Sequence, residues 1–193
     1  MPEPQTILLT GERQVGKSTL CLRLMQLVRE TGLDVSGLIT RRTGPHDLAV
    51  LEIATGKFYS LTLPFEGSGG IKLPHFRMDP TAMARSMRAL ESSFPTQVLI
   101  LDELGPLELL RGKGWVNVLR LLGGGKYWMA FIVVRPALII NAVMQLPTTT
   151  YTVVRVTLEN RDFLPDALLK AAERVCLEEP HSHVSFDPET WAG

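Results

Sequence analysis

Gly11-Glu12-Arg13-Gln14-Val15-Gly16-Lys17-Ser18 stands between the apolar run Ile7-Leu8-Leu9 and the helix-like Thr19-Leu20-Cys21-Leu22-Arg23-Leu24. The spacing G-x-x-x-x-G-K-S, leaving a strand and entering a helix, is that of a phosphate-binding loop. A tight turn there aims successive backbone N–H groups, and the positive end of the next helix, at one point, where a polyphosphate fits. Gly11 and Gly16 serve the backbone, and Glu12 through Val15, Gln14 included, contribute mainly their N–H groups. Lys17 would reach the β- and γ-phosphates, the Ser18 hydroxyl would ligate Mg²⁺, and Thr19 would hydrogen-bond the α-phosphate. ATP or another NTP is the expected ligand, and Mg²⁺ the expected cofactor.

The rest of the chain reads as a setting for that loop. Its 193 residues suffice for one substantial α/β domain and not for two. Twenty basic residues balance twenty acidic ones, so no global field favours nucleic acid or an anionic membrane, although a local basic patch is not excluded. The start Met-Pro-Glu-Pro-Gln-Thr lacks a basic, then apolar, leader pattern, and no apolar run approaches the ~20 residues a bilayer needs. A soluble, cytoplasmic protein is expected. Cys21 and Cys176 are isolated on apolar helix faces and read as buried free thiols rather than a disulfide or metal site.

Along the chain, a helix after the loop stops near Thr31-Gly32, and Val35–Thr40 reads as a strand. Leu48–Ile53 and Phe58–Leu63, with Ala54–Lys57 between them, predict a β-hairpin inserted after the second strand, at about 47–63. Gly67-Ser68-Gly69-Gly70 is the most flexible-looking stretch and reads as a surface loop, with a lid as the alternative. Asp79-Pro80-Thr81 opens a helix over about 80–93. Val98–Leu101 is a continuous apolar strand of the kind buried on both faces of a parallel sheet. A helix near 112–122, a strand at 128–134, a helix at 137–146, a strand at 152–156 and a helix at 163–177 complete a β/α alternation. The expected fold is therefore α/β, a three-layer sandwich around a mostly parallel central sheet. One domain spans 1–177, and a tail occupies 178–193.

Asp102-Glu103 ends the apolar strand, and in open α/β sheets ligands bind outside the carboxyl ends of strands. Asp102 is suited to holding Mg²⁺ through water, and Glu103 to accepting a proton from water attacking the γ-phosphorus, while Lys17 stabilises charge on the phosphoryl oxygens. A cation near the γ-phosphate would help, with Arg13, Arg41, Arg42, Arg77, Arg135 and Arg161 as candidates. Arg135 directly follows Ala130–Val134, at a strand's carboxyl end. It points at the γ-phosphate if that strand lies between the loop strand and the Asp102 strand; helix capping or a surface ion pair is the alternative. Arg41-Arg42 could bind a phosphate tail or simply be a solvated strand end. Asn160-Arg161-Asp162 follows the last strand, where Asn160 and Arg161 suit a base or ribose contact and Asn160 or Asp162 equally suits a helix cap. His46, His75, His181 and His183 have no ligand or triad spacing and read as surface residues.

With these residues assembled, the chain resembles the small nucleoside-triphosphatase family that includes thermophilic and human cancer-related members. The resemblance covers roughly residues 5–175. It rests on Gly11–Thr19, on Val35-Ser36-Gly37-Leu38-Ile39-Thr40 leading to a basic hairpin, and on Asp102-Glu103-Leu104-Gly105-Pro106-Leu107-Glu108-Leu109, similar to the signature D-E-[IL]-G-x-[ML]-E-L. Thr157-Leu158-Glu159-Asn160-Arg161-Asp162 is similar to its late T-x-x-N-R-D segment. The resemblance implies a P-loop NTPase with a RecA-like sheet, Mg²⁺-dependent hydrolysis of NTP to NDP and phosphate, and loose choice of base. It gives Glu103 the base role, Asp102 the metal role, and Lys17 and Ser18 the phosphate and metal contacts.

The family loop usually reads G-x-x-G-x-G-K-T-T, whereas this chain carries Gln14 and Ser18-Thr19. The chemistry of Ser18 is equivalent, and Gln14 fits the loop if its backbone angles need no glycine. Region 64–78 matches only loosely. Two other readings stand beside hydrolysis: a nucleotide or metabolite kinase with a glycine lid carrying Arg77, and a slow NTP-dependent switch whose protein partner supplies the missing cation. No N-K-x-D base-reading motif is present, which argues against a dedicated GTPase.

Overall fold

The computed structural model describes residues 3–146 and 150–177. Strand β1 (Gln5–Thr10) leads through the glycine loop into α1 (Lys17–Glu30), followed by β2 (Val35–Arg42), β3 (Leu48–Glu52) and β4 (Phe58–Ser60). A short ribbon, β5 (Ile71–Lys72) and β6 (Arg77–Met78), precedes α2 (Pro80–Ser92) and β7 (Val98–Leu104). Then come α3 (Pro106–Leu109), α4 (Asn117–Gly123), β8 (Met129–Val134), a 3-10 turn at Pro136–Leu138, α5 (Ile139–Gln145), β9 (Tyr151–Arg155) and α6 (Leu164–Leu177). The expected tail at 178–193, with His181 and His183, lies outside the described residues.

The main sheet runs β4-β3-β2-β7-β8-β1-β9. Five neighbouring strands, β2, β7, β8, β1 and β9, are parallel, and the hairpin adds β3 and β4 antiparallel at one edge. The inserted hairpin thus extends the central sheet. Every residue of β8 is buried, as a parallel strand covered on both faces requires. Strand alternation sends Ile7, Leu9, Ile39, Ile100, Phe131 and Val133 to the face covered by α1 and α6. Leu8, Leu38, Leu99, Leu101 and Ile132 go to the other face, where α2, α4 and α5 pack. This is the three-layer α/β sandwich with one consequence for the site: Asp102, two positions beyond Ile100, shares the α1 face.

Two local expectations are corrected. The helix placed near 112–122 begins only at Asn117, as α4, because Trp115 just before it is drawn into the core. The helix placed at 137–146 starts as a 3-10 turn after Pro136. The Gly67–Gly70 stretch is the exposed surface loop expected. It folds over Arg77, which is 5% exposed and donates to Pro64 O at 2.6 Å, to Ser68 O, and to Gly69 O at 3.2 Å. Arg77 is therefore committed to carbonyls of its own segment and is removed from the candidates for a phosphate cation.

Candidate active site

The loop leaves β1 at Gly11, whose φ is +155° and where a Cβ would meet Val156 O at 2.4 Å, so only glycine fits. Gly16, also at positive φ, caps α1, and Leu20 N–H donates back to Gly16 O at 2.9 Å. Gln14 does not meet the condition set for it: its φ is +65°, in the left-handed region. The turn demands the conformation a central glycine supplies, and the chain meets it with glutamine at a strain of about 1–2 kcal/mol. Val15 is buried behind the loop, and Thr19 is exposed at the first turn of α1.

Lys17 Nζ donates to Gly11 O and Glu12 O, each at 2.7 Å, across the mouth of the loop. Burial lowers its pKa from the usual lysine value, opposed by the charges of Glu103 and Asp102. Asp102 is 2% exposed and its pKa is pushed up to about 7, chiefly by burial, with the Ser18 hydroxyl bonding to the carboxylate and opposing the rise. Its Oδ2 atom and Thr10 Oγ1 are buried with no hydrogen-bond partner among the described residues. The next residue, Glu103, is ion-paired with Arg135. The Asp102–Glu103 peptide bond is cis.

The sheet order explains this meeting. Strand β8 lies between β1 and β7, so Arg135, one residue past β8, emerges between the phosphate loop and the two carboxylates. That is the sheet order on which its sequence reading depended, while the contact the guanidinium makes is an ion pair with Glu103, the form of the alternative reading.

From the loop between β9 and α6, Arg161 crosses to the phosphate loop, where Nη1 donates to Val15 O at 3.3 Å. Its side chain lies against Gly16, within 3.3 Å of a Cβ built there. Asn160 turns inward instead: Oδ1 accepts from Thr157 N–H at 2.8 Å and Nδ2 donates to Arg155 O at 2.8 Å. Its amide closes the turn after β9, and its carbonyl accepts from Leu164 N–H at the start of α6. Arg42 donates to Gly44 O and Pro45 O, stabilising the turn after β2. Sequence reasoning gave no separate role to Glu108, whose buried carboxylate accepts the N–H of Gly105. Its place in the Asp102–Leu109 motif was the only signal.

Residues 6–169 match the model of a family described as NTPase. The chain belongs to this NTPase family. Among similar proteins, a nucleoside-triphosphatase THEP1 from Methanopyrus kandleri is 28% identical over 178 residues, covering 86% of this chain and 94% of the relative. Another, from Thermofilum pendens, is 28% identical over 174 residues with the same shares covered. The crystal structure of THEP1 from the hyperthermophile Aquifex aeolicus superposes with a TM-score of 0.63 at 21% identity, covering 88% of this chain and 99% of that one. That likeness shows the P-loop NTPase fold, a mostly parallel sheet between layers of helices. The family membership applies to the whole of the site just described, because Gly11 through Arg161 falls inside the matched residues.

Proposed function

We propose that this chain is a Mg²⁺-dependent nucleoside triphosphatase that releases phosphate from NTP with loose choice of base. The observation that carries the reading is the buried Asp102 carboxylate, with its partnerless Oδ2, facing Ser18 at the head of the phosphate loop. An orphaned carboxylate oxygen beside a hydroxyl is a hard-oxygen donor pair that fits Mg²⁺. Among the described residues no three His, Cys, Asp or Glu side chains cluster, so the fit is to a cation held jointly with phosphate oxygens. Bound there, Mg²⁺ supplies neutralisation of charge on the phosphates.

The protein groups then divide the work. Backbone N–H groups of the loop, Gln14 to Gly16 among them, and Lys17 hold and orient the phosphates, and Thr19 stands at the α-phosphate end. Glu103 takes the proton of the attacking water, and Lys17 and Arg135 stabilise charge on the transferring phosphoryl group. Arg161, lying on the loop beside Gly16, borders the ribose and base; a planar guanidinium stacks on any base, which supports loose selection. Asn160 supports Arg161 by fixing the turn that carries it.

The names of the relatives support hydrolysis over transfer to an acceptor. The kinase alternative loses its lid cation, since Arg77 is buried on loop carbonyls. No helix among the described residues is long and apolar enough to cross a membrane. Action in the cytoplasm on free nucleoside triphosphates is part of the same proposal. Lys17→Ala tests the site: nucleotide affinity, measured by titration calorimetry with a non-hydrolysable ATP analogue, should fall at least tenfold and turnover should vanish. Unchanged binding would overturn the assignment.

A further inference from the structure

Glu103 sits where the strand ladder does not hold it. Pairing of β7 with β8 runs from Val98 to Leu101 and resumes only at Leu104, with a register shift between. A general base must be aimed to within about half an ångström, so something other than ladder hydrogen bonds has to fix this stretch.

The geometry points to Glu108 as a positioning residue for Glu103, a carboxylate clamp that holds the backbone directly after the catalytic pair and ties it to α2. The inference rests on the hydrolytic reading of the site. Glu108 Oε2 accepts from Gly105 N–H at 3.1 Å, and Oε1 accepts from Trp115 N–H at 3.1 Å. The chain continues as Trp115 Nε1–H donates to Ser86 Oγ at 2.9 Å, and Ser86 Oγ–H donates to Met83 O at 2.9 Å. Glu108 is 6% exposed, Trp115 4% and Ser86 0%.

Gly105 lies between two carboxylates. A Cβ placed on it would be 3.6 Å from both Glu103 Oε1 and Glu108 Oε2. Gly114, at φ +73°, lets the following loop close on the clamp; a Cβ there would fall 2.2 Å from Glu108 Oε1. Burying a carboxylate is costly, and an apolar side chain would fill the space more cheaply, but none would bind two backbone N–H groups at once.

The test uses the full chain and compares wild type with Glu108→Gln and Gly114→Ala, with Leu168→Ala on α6 as an equally buried control away from the site. The amide of Glu108→Gln presents N–H where an N–H must be accepted, so one of the two bonds is lost. We expect kcat for ATP to fall about 10–10²-fold while KM, and the affinity for a non-hydrolysable analogue, stay within about twofold. Hydrogen exchange at Gly105 and Trp115 should accelerate in both clamp variants and not in Leu168→Ala. Turnover by the clamp variants within twofold of wild type overturns the inference, as does a kcat loss that Leu168→Ala shares. If wild type itself releases no phosphate, the hydrolytic reading fails separately, and unchanged exchange at Gly105 then removes the clamp. Should Glu108→Gln not fold, Gly114→Ala and Trp115→Phe, which removes the indole N–H link to Ser86 along with part of the ring, carry the same comparison.

Discussion

The Arg135 guanidinium and the Glu103 carboxylate are ion-paired across the carboxyl ends of β8 and β7, immediately beside the Leu104–Val134 pairing of those strands. Both side chains are partly solvated, Arg135 58% and Glu103 25% exposed, so the pair adds only ~0–1 kcal/mol to stability. In the proposed function its larger effect is on chemistry, because the same guanidinium stands at the cleft between the phosphate loop and the carboxylates. Arg135→Ala should lower kcat about 10²-fold and leave nucleotide affinity nearly unchanged, as loss of a charge-stabilising donor does. Steady-state kinetics with calorimetric affinity measurements check this. A drop in thermal stability with full turnover would reduce Arg135 to a surface ion pair.

Gln14 supplies a test of backbone strain. At φ +65° it carries a cost that glycine avoids, partly offset by the greater freedom of glycine in the unfolded chain. Gln14→Gly should raise unfolding free energy by up to about 1 kcal/mol, and Gln14→Val, β-branched in the same angles, should lower it by more than about 1 kcal/mol. Urea denaturation measures both. Equal stability of the two variants would contradict the strain argument.

Arg77 makes a structural prediction opposite to its reading as a lid cation. Replacing it with Leu removes its charged hydrogen bonds to the carbonyls of Pro64, Ser68 and Gly69, which water can then reach, and should destabilise the fold by roughly 1–2 kcal/mol. Arg77→Lys should restore only part of this, because an ammonium lacks the planar fork that serves several carbonyls. Nucleotide affinity measured well below the melting temperature should be unaffected in both.

The buried thiols and phenols set the alkaline limit. Burial pushes Cys176 from the ordinary 9.0 to about 12 and Cys21 well above 9.0. Tyr59 rises as well, through burial and its bond to Glu52, and Tyr127 through burial. The folded chain keeps these protons at pH values where the unfolded chain has released them. Their contribution to stability is therefore complete below about pH 9 and is lost as pH rises toward 12. Denaturation at pH 7.5, 9.0 and 10.5 should show falling stability, with a shallower slope in Cys176→Ala. In the native protein at pH 8 both thiols should resist alkylation.

The alternation of strands and helices was legible because long apolar runs such as Val98–Leu101 and Phe131–Val134 are buried on both faces. The phosphate loop was legible because its chemistry depends on local spacing. The order of strands was not, since nothing in the residues of β8 states that it lies between β1 and β7. Arg135 accordingly acquired its place only from the sheet. Short pieces left no periodicity to read: α3 has four residues, and β5 and β6 two each. Arg77 looked solvent-facing because arginine in a glycine-rich stretch normally is, and only the convergence of loop carbonyls reverses that. Glu108 was visible as part of a motif, while its partners Trp115 and Ser86 are brought to it by tertiary packing.

The central claim is that Glu103 activates water at a triphosphate held by the Gly11–Ser18 loop. Phosphate release from ATP, GTP, CTP and UTP with Mg²⁺ and no added acceptor, compared between wild type and Glu103→Gln, tests it most directly. The account predicts release from several nucleotides by wild type and a loss of at least ~10²-fold in the variant, with affinity retained. Undiminished release by Glu103→Gln, or tight binding by wild type without any release, would contradict it.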